Sequence, residues 1–256
     1  MKPIHAPDAR TSRAHFLAQT GAAVLGTMAA GTAFGEAALP LRQPRGKANS
    51  KVKRWDIITI GNLSRNQYWG ESKDKAVRKV LCTCTLISGD GFRLLVDPSE
   101  TDAADMAREL DRRTGLKPKD ITAVFVTHDH SDHWFGLAHF PDARWMAGPG
   151  AAEILNQTGK LARPVEPVTG RLFDAVDVVP TPGHTRSHHS LRFDCDGLSV
   201  VAAGDAMATR DFFRERQNFY NAVDPEQGVA SMNKIAELAD LIIPGHDNYF
   251  VTGAQP

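Results

Sequence analysis

From residue 55 onward, apolar positions fall in short blocks broken by Gly, Pro, Asp and Asn. Residues 55–60 predict a strand closed by Gly61-Asn62. Residues 80–88 and 92–96 predict two more, joined at Gly89-Asp90-Gly91, a composition suited to a hairpin turn. Between 102 and 114 the period changes. Ala103, Met106, Ala107 and Leu110 fall on one helical face, and Gly115 predicts the helix end. Residues 121–127 form a strongly apolar block, predicted as a buried strand, that runs straight into a histidine cluster. Residues 176–179, 190–193 and 198–203 predict further strands, the last two joined at Asp196-Gly197. Val229, Met232, Ala236 and Ala239 mark a late helix. Residues 241–243 predict a last short strand before Pro244-Gly245-His246. Strand pairs with tight turns, interrupted by helices, predict an α/β sandwich with mixed sheets.

The first part of the chain has neither period. Lys2, Arg10 and Arg13 give a positive start. A mildly apolar Ala/Gly-rich run follows over 16–34, then small residues around Gly35-Glu36-Ala37. This is the layout of a signal peptide, expected over residues 1–37. Ser12-Arg13-Ala14-His15-Phe16-Leu17 is similar to a twin-arginine export motif, with Ala14 where the second arginine stands. The expected location is therefore periplasmic or secreted, and cytoplasmic if the leader does not work. Gln19, Thr20 and the many Gly and Ala residues make a poor membrane span, so no stable insertion is expected. Residues 38–54 read as a flexible basic linker, and 55–256 as one folded domain.

Composition changes this picture little. Of 256 residues, 42% are hydrophobic and 23% charged, and formal net charge is zero, with 30 basic and 30 acidic residues. That balance argues against a nucleic-acid partner; the partner expected is a small-molecule substrate. Three cysteines, Cys82, Cys84 and Cys195, do not suggest a disulfide framework. Cys82 and Cys84 share one side of a strand and read as small buried hydrophobes rather than a thiolate site.

The chemistry concentrates in His128-Asp129-His130-Ser131-Asp132-His133, at the C-terminal end of the predicted strand 121–127. Imidazole and carboxylate are the usual ligands of zinc and similar divalent ions. The segment is too short for all these groups to serve one ion without strain. Two sets are easier: His128 and His130 on one ion, Asp132 and His133 on another. His184 in Pro182-Gly183-His184, Asp205 in Gly204-Asp205-Ala206, and His246 in Gly245-His246-Asp247 stand beside glycines that permit tight turns. A carboxylate has two oxygens, so Asp205 can bridge. With His184 on the first ion and His246 on the second, an open position is left for water, as in catalytic sites. Asp129 is expected to point outward. His139, His188 and His189 read as extra histidines with either a packing or a supporting role.

This pattern resembles the metallo-β-lactamase superfamily. The likeness rests on His-x-His-x-Asp-His at 128–133, followed in order by His184, Asp205 and His246, and on Val96-Asp97-Pro98; it covers roughly residues 55–250. It implies an αββα sandwich of two mixed β-sheets flanked by helices, with the metal site at one edge between them. Asp97 is expected to fix a ligand histidine.

The function implied is a dinuclear hydrolase, with two Zn2+ (iron or manganese as alternatives). A metal-bridging hydroxide would attack the substrate, and Asp132 is the expected catalytic residue, orienting the nucleophile and moving its proton. In this superfamily a bridging Asp resembles the glyoxalase II, lactonase, phosphodiesterase and nuclease branches rather than true β-lactamases. Residues 181–191 look like the lactonase and glyoxalase II pattern. Ala208 departs from it, standing where homoserine lactonases often carry Tyr. The expected substrate is an ester, lactone or thioester. A phosphodiesterase, a β-lactamase and an iron-dependent oxidoreductase are the alternatives. Residues 62–70, Trp134, Phe135 and 209–221 are candidate substrate-contacting segments, and Arg210 among them suggests an anionic group.

Overall fold

A computed structural model describes residues 44–47 and 50–252 of the chain. The signal-peptide expectation for residues 1–37 lies outside the described residues. Two six-stranded sheets are present. The first runs in chain order: β1 (Val52–Thr59), β2 (Cys84–Gly89), β3 (Phe92–Val96), β4 (Ala123–Val126), β5 (Arg144–Ala147) and β6 (Glu166–Pro167). Its first three strands pair antiparallel, and β3 to β6 pair in parallel. The second contains β7 (Gly170–Leu172), β8 (Val176–Pro180), β9 (His189–Cys195), β10 (Leu198–Gly204), β11 (Leu241–Pro244) and β12 (Phe250–Val251). Only β10 and β11 pair in parallel there.

Burial explains why the middle strands are apolar throughout. In β4, Ala123 and Phe125 face the layer between the sheets, while Val124 and Val126 face α1 (Ala103–Thr114) and α2 (Pro149–Gln157). In β10, Val200 and Ala202 face that same inner layer. Val201 and Ala203 instead pack toward α4 (Pro225–Leu238), with Met232 and Ile235. Covered on both faces, these strands lose the polar alternation of a half-exposed strand. The result is the expected four-layer αββα sandwich.

Helix α1 starts and stops where its chemistry dictates. The Asp102 side chain accepts from the amides of Ala104 and Asp105, and Gly115 closes the helix at φ 74°. Its buried face is Met106 and Leu110; Ala103, expected on that face, is exposed. In α4 the buried face is Gly228, Ser231, Met232 and Ile235, shifted from the predicted set, and Ala239 caps the end. Strands β5, β6, β7 and β12 and helices α2 and α3 (Arg210–Arg214) were not predicted.

The domain begins earlier than residue 55. Strand β1 starts at Val52, which is buried. Within the expected linker, the Arg45 amide donates to Asp240 Oδ2 at 2.7 Å, and its guanidinium donates to the carbonyls of Ala236 and Ala239 at the end of α4. Those carbonyls lack helical partners, and a cation suits that pole of the helix.

All three cysteines are free and buried, as expected of small hydrophobes. Burial pushes the Cys195 thiol up to about 11. A thiol-reactive dye is expected to label none of them in the folded protein and all three after denaturation. Labelling of the native protein would contradict this packing. Among the described residues no helix is long and apolar enough to cross a membrane.

Candidate metal centre

Four strand ends converge. Strand β4 delivers Thr127 and His128, and the turn after β8 carries His184. Parallel pairing of β10 with β11 sets Gly204 beside Pro244, which brings Asp205 next to His246. The short turn Ser131–His133 follows His130, and the residues before it, His128 and His130, fall in a different group from Asp132 and His133 within it.

Two nests result. His128, His130, His184 and Asp205 offer ligand atoms within 4.8 Å of one another, and so do Asp132, His133 and His246. Asp205 joins them. Its Oδ2 lies 3.2 Å from His184 Nε2 and 4.0 Å from His128 Nε2. Its Oδ1 lies 3.1 Å from His246 Nε2 and 3.3 Å from His133 Nε2. Asp132 Oδ2 is 3.5 Å from His246 Nε2 and 3.7 Å from His133 Nε2. All seven residues singled out in the sequence come together in the two sets the spacing suggested. His130 turns Nδ1 inward, 2.9 Å from His184 Nε2.

Neighbours decide which ring nitrogens are bare. Thr127 donates to Asp97 through its amide and its hydroxyl, each at 2.8 Å. With its proton spent on Asp97, Thr127 Oγ1 can only accept from His128 Nδ1, 3.1 Å away. His133 Nδ1 donates to Asp97 Oδ2 at 2.9 Å, and His246 Nδ1 donates to the Leu81 carbonyl at 2.9 Å. In its neutral form each of these three rings therefore turns an unprotonated Nε2 inward. Asp97 fixes a candidate ligand, as expected, and also tethers the strand end that carries the cluster.

The donor set fits divalent cations. His128 Nε2, His133 Nε2 and Asp205 Oδ1, all facing the nests, are buried without hydrogen-bond partners. Each such atom costs about 1–3 kcal/mol unless something pairs with it. The charges interlock as well. Burial and then the neighbouring His133 hold His128 well below the usual imidazole range. Burial opposes charge on His246, but Asp205 outweighs it and raises that ring. Burial also works against the Asp205 carboxylate, yet His246, His133 and His184 together hold it well below its usual value.

Cys82, Asp97 and His133 form a third group of close donors. Asp97 is already committed to Thr127 and His133, and the Cys82 thiol, pushed up to about 11 by burial, faces the Asp97 carbonyl at 3.3 Å. That group supports the centre rather than forming another.

Asp129 stands outside both nests and accepts from Ser187, in line with expectation. His139 bonds the Glu100 carbonyl, and His189 bonds the Ser187 carbonyl. One arm of the Arg210 guanidinium is engaged within the fold. It reaches the Tyr249 carbonyl and lies over Phe250. Phe212 is fully buried, and Trp134 donates to the Asp129 carbonyl. The segments 62–70 and 209–221 interlock: Trp69 Nε1 donates to Asp211, Tyr68 to Gln217, and the Gln67 amide to Tyr220 Oη. Trp69, Phe135 and Val223 keep exposed apolar surface.

The αββα sandwich thus carries two histidine–carboxylate nests that share one aspartate. The family model described as the metallo-beta-lactamase superfamily matches residues 77–246, and the chain belongs to that superfamily. Metallo-beta-lactamase domain-containing protein 1 of Xenopus laevis is 32% identical over 163 residues, covering 63% of this chain and 69% of that protein. A hydroxyacylglutathione hydrolase of Xanthomonas euvesicatoria pv. vesicatoria (strain 85-10) is 35% identical over 130 residues, 48% of this chain and 44% of that protein. The chain thus spans less than half the length of that second relative. Among solved structures, an N-acyl homoserine lactone hydrolase with the product N-hexanoyl-L-homoserine bound at its catalytic metal center has a TM-score of 0.59 at 21% identity, covering 77% of this chain and 94% of that one. At that identity the likeness is one of fold.

Proposed function

We propose that this chain is a dinuclear hydrolase acting on a carboxylic ester, lactone or thioester. The observation that carries the reading is Asp205, whose two oxygens face two separate nests. His128, His130 and His184 would hold one ion, Asp132, His133 and His246 the other, with Asp205 shared. Two such ions polarise a substrate oxygen and lower the pKa of water.

The chain's own groups supply the rest. Asp132 is the most open of the site carboxylates, its side chain 20% exposed against 6% for Asp205. In this reading it would orient the attacking water and accept its proton. Asp97 and the Leu81 carbonyl keep the protons of His133 and His246 on their outer nitrogens. Exposed Trp69, Phe135 and Val223 favour an apolar portion in the substrate.

The hydroxyacylglutathione hydrolase relatives and the lactone hydrolase fold likeness both support attack at an acyl carbon. Ala208 is buried against Leu63 and Phe212, so no hydroxyl reaches the site from that position. This favours a lactone or thioester other than a homoserine lactone.

A panel of lactones, thioesters, bis-p-nitrophenyl phosphate and a chromogenic cephalosporin tests the reading, alongside elemental analysis for zinc, iron and manganese. Expected is turnover of a lactone or thioester that a chelator removes and added metal restores. Turnover confined to the phosphodiester or the cephalosporin would overturn the substrate class. Full activity after chelation would overturn the metal.

A further inference from the structure

His188 belongs to neither nest, yet it is fully buried beside them, its ring centroid 5.0 Å from that of His128 and 6.4 Å from that of His184. Its two nitrogens are both occupied, and the hydrogen bonds around it admit one protonation state. Ser190 Oγ donates to the Ala203 carbonyl at 2.9 Å, since a carbonyl can only accept. Ser190 Oγ must then accept from Thr181 Oγ1, 2.8 Å away. Thr181 has spent its proton and must accept from His188 Nδ1 at 2.9 Å. Independently, the Ala206 amide donates to His188 Nε2 at 3.3 Å, so that nitrogen carries no proton. Both ends of the relay require neutral His188 with its proton on Nδ1.

The far end of the relay is the turn that bears Asp205. Gly204 there has φ 53° and ψ −150°, a conformation closed to residues with a side chain. A Cβ at Gly204 would lie 2.7 Å from Thr127 Oγ1 and 2.9 Å from His188 Nε2. The backbone therefore kinks directly against the His188 ring and Thr127, and Asp205 follows the kink. The Ala206 amide is the second of the short turn Asp205–Met207, and amides at the start of such a turn have no partner within it. His188 supplies the acceptor. The next residue fastens the same corner to the other sheet, since the His189 amide donates to the Thr127 carbonyl at 2.9 Å.

We propose that His188 is a positioning residue. As the Nδ1–H tautomer, braced by Thr181 and Ser190, it holds the Ala206 amide and so aims the Asp205 carboxylate at both nests. This rests on the dinuclear reading of those nests. Because the ring is buried and both nitrogens are engaged, it neither touches substrate nor carries a proton to it.

The test uses the full chain, with zinc as the probe and H188L, H188Q and T181V as variants. Zinc affinity is measured by competition with a chelating dye, and circular dichroism checks folding. H188L removes the acceptor. T181V removes the partner of Nδ1–H and so favours the opposite tautomer, which would turn a proton against the Ala206 amide. Both are expected to weaken zinc binding about 10–100-fold, the usual effect of losing a group that orients a ligand. On the substrate found above, kcat should fall with KM little changed. H188Q, whose amide oxygen can take the Ala206 proton, is expected to recover part of the loss. In nitrogen-15 spectra of the wild type, His188 should show Nδ1–H.

Wild-type zinc affinity in folded H188L or T181V would overturn the proposal, as would an Nε2–H tautomer or H188Q no better than H188L. If H188L does not fold, T181V and the tautomer decide. A wild-type chain that binds fewer than two zinc ions overturns the dinuclear reading itself, which the variants alone cannot do.

Discussion

Asp205→Ala is expected to abolish hydrolysis, on the order of a thousandfold or more, in a chain that still folds. The carboxylate is 5% exposed and has oxygens within 4.0 Å of four histidines. Removing it takes the shared anion from both nests at once, leaving His128, His130 and His184 with no carboxylate in their nest while Asp132 stays beside His133 and His246. A ligand that binds only the folded state raises its melting temperature, so zinc should raise that of the wild type. In Asp205→Ala that zinc-dependent rise should shrink, while the melting temperature in chelator changes far less. Asp205→Asn is the informative companion. It keeps the shape and one oxygen, and should hold fewer zinc equivalents than the wild type. Activity near wild type in either variant would remove the bridge from the mechanism. A loss of activity with zinc binding intact would assign Asp205 a different task.

Much of this centre is legible in the chain because its chemistry is local. His128, His130, Asp132 and His133 lie within six residues, too close together for all of them to serve one ion without strain, and that shortness separates them into two sets. His184, Asp205 and His246 are marked by the glycines beside them at strand ends. The strands that carry them are apolar enough to read as buried. What the chain conceals depends on contacts far apart in sequence. Arg210 looks like an anion-binding arginine, and nothing beside it in the chain marks the Tyr249 carbonyl and Phe250 that lie against it. Short strands such as β6 and β7 lack a period of their own, and their neighbours in the sheet define them. Linker-like basic residues conceal Arg45, whose partners sit at the end of α4. The relay through Thr181 and Ser190 did leave a trace: hydroxyls flanking the His184 turn, beside or within apolar strands. Such buried hydroxyls need partners, and a spare histidine nearby is the natural one.

Gly183→Ala is expected to be among the most damaging single-methyl additions in this fold. Gly183 has φ 136°, a region L side chains rarely adopt, and a Cβ there would lie 2.2 Å from Gly228 Cα and 2.3 Å from Gly228 N. These are backbone atoms of α4, so no side chain can swing aside. The same turn is tied to α4 by the Asp224 amide on the Gly183 carbonyl at 2.9 Å and by Ser231 Oγ on the Pro182 carbonyl at 2.6 Å. Relief therefore requires moving the helix or the turn. Backbone strain together with overpacking puts the loss at about 3 kcal/mol or more. At about 2–4 °C per kcal/mol for a domain of this size, melting in chelator should fall by roughly 6–12 °C. His184 is the next residue, so a displaced turn should also weaken zinc binding beyond the loss of stability. Gly197→Ala separates strain from collision. Gly197 also has a positive φ, 79°, but a Cβ there meets nothing within 4 Å. It should cost only about 1 kcal/mol, with zinc affinity unchanged. If the two variants melt together and bind zinc alike, the close approach of the His184 turn to α4 is not what holds that ligand in place.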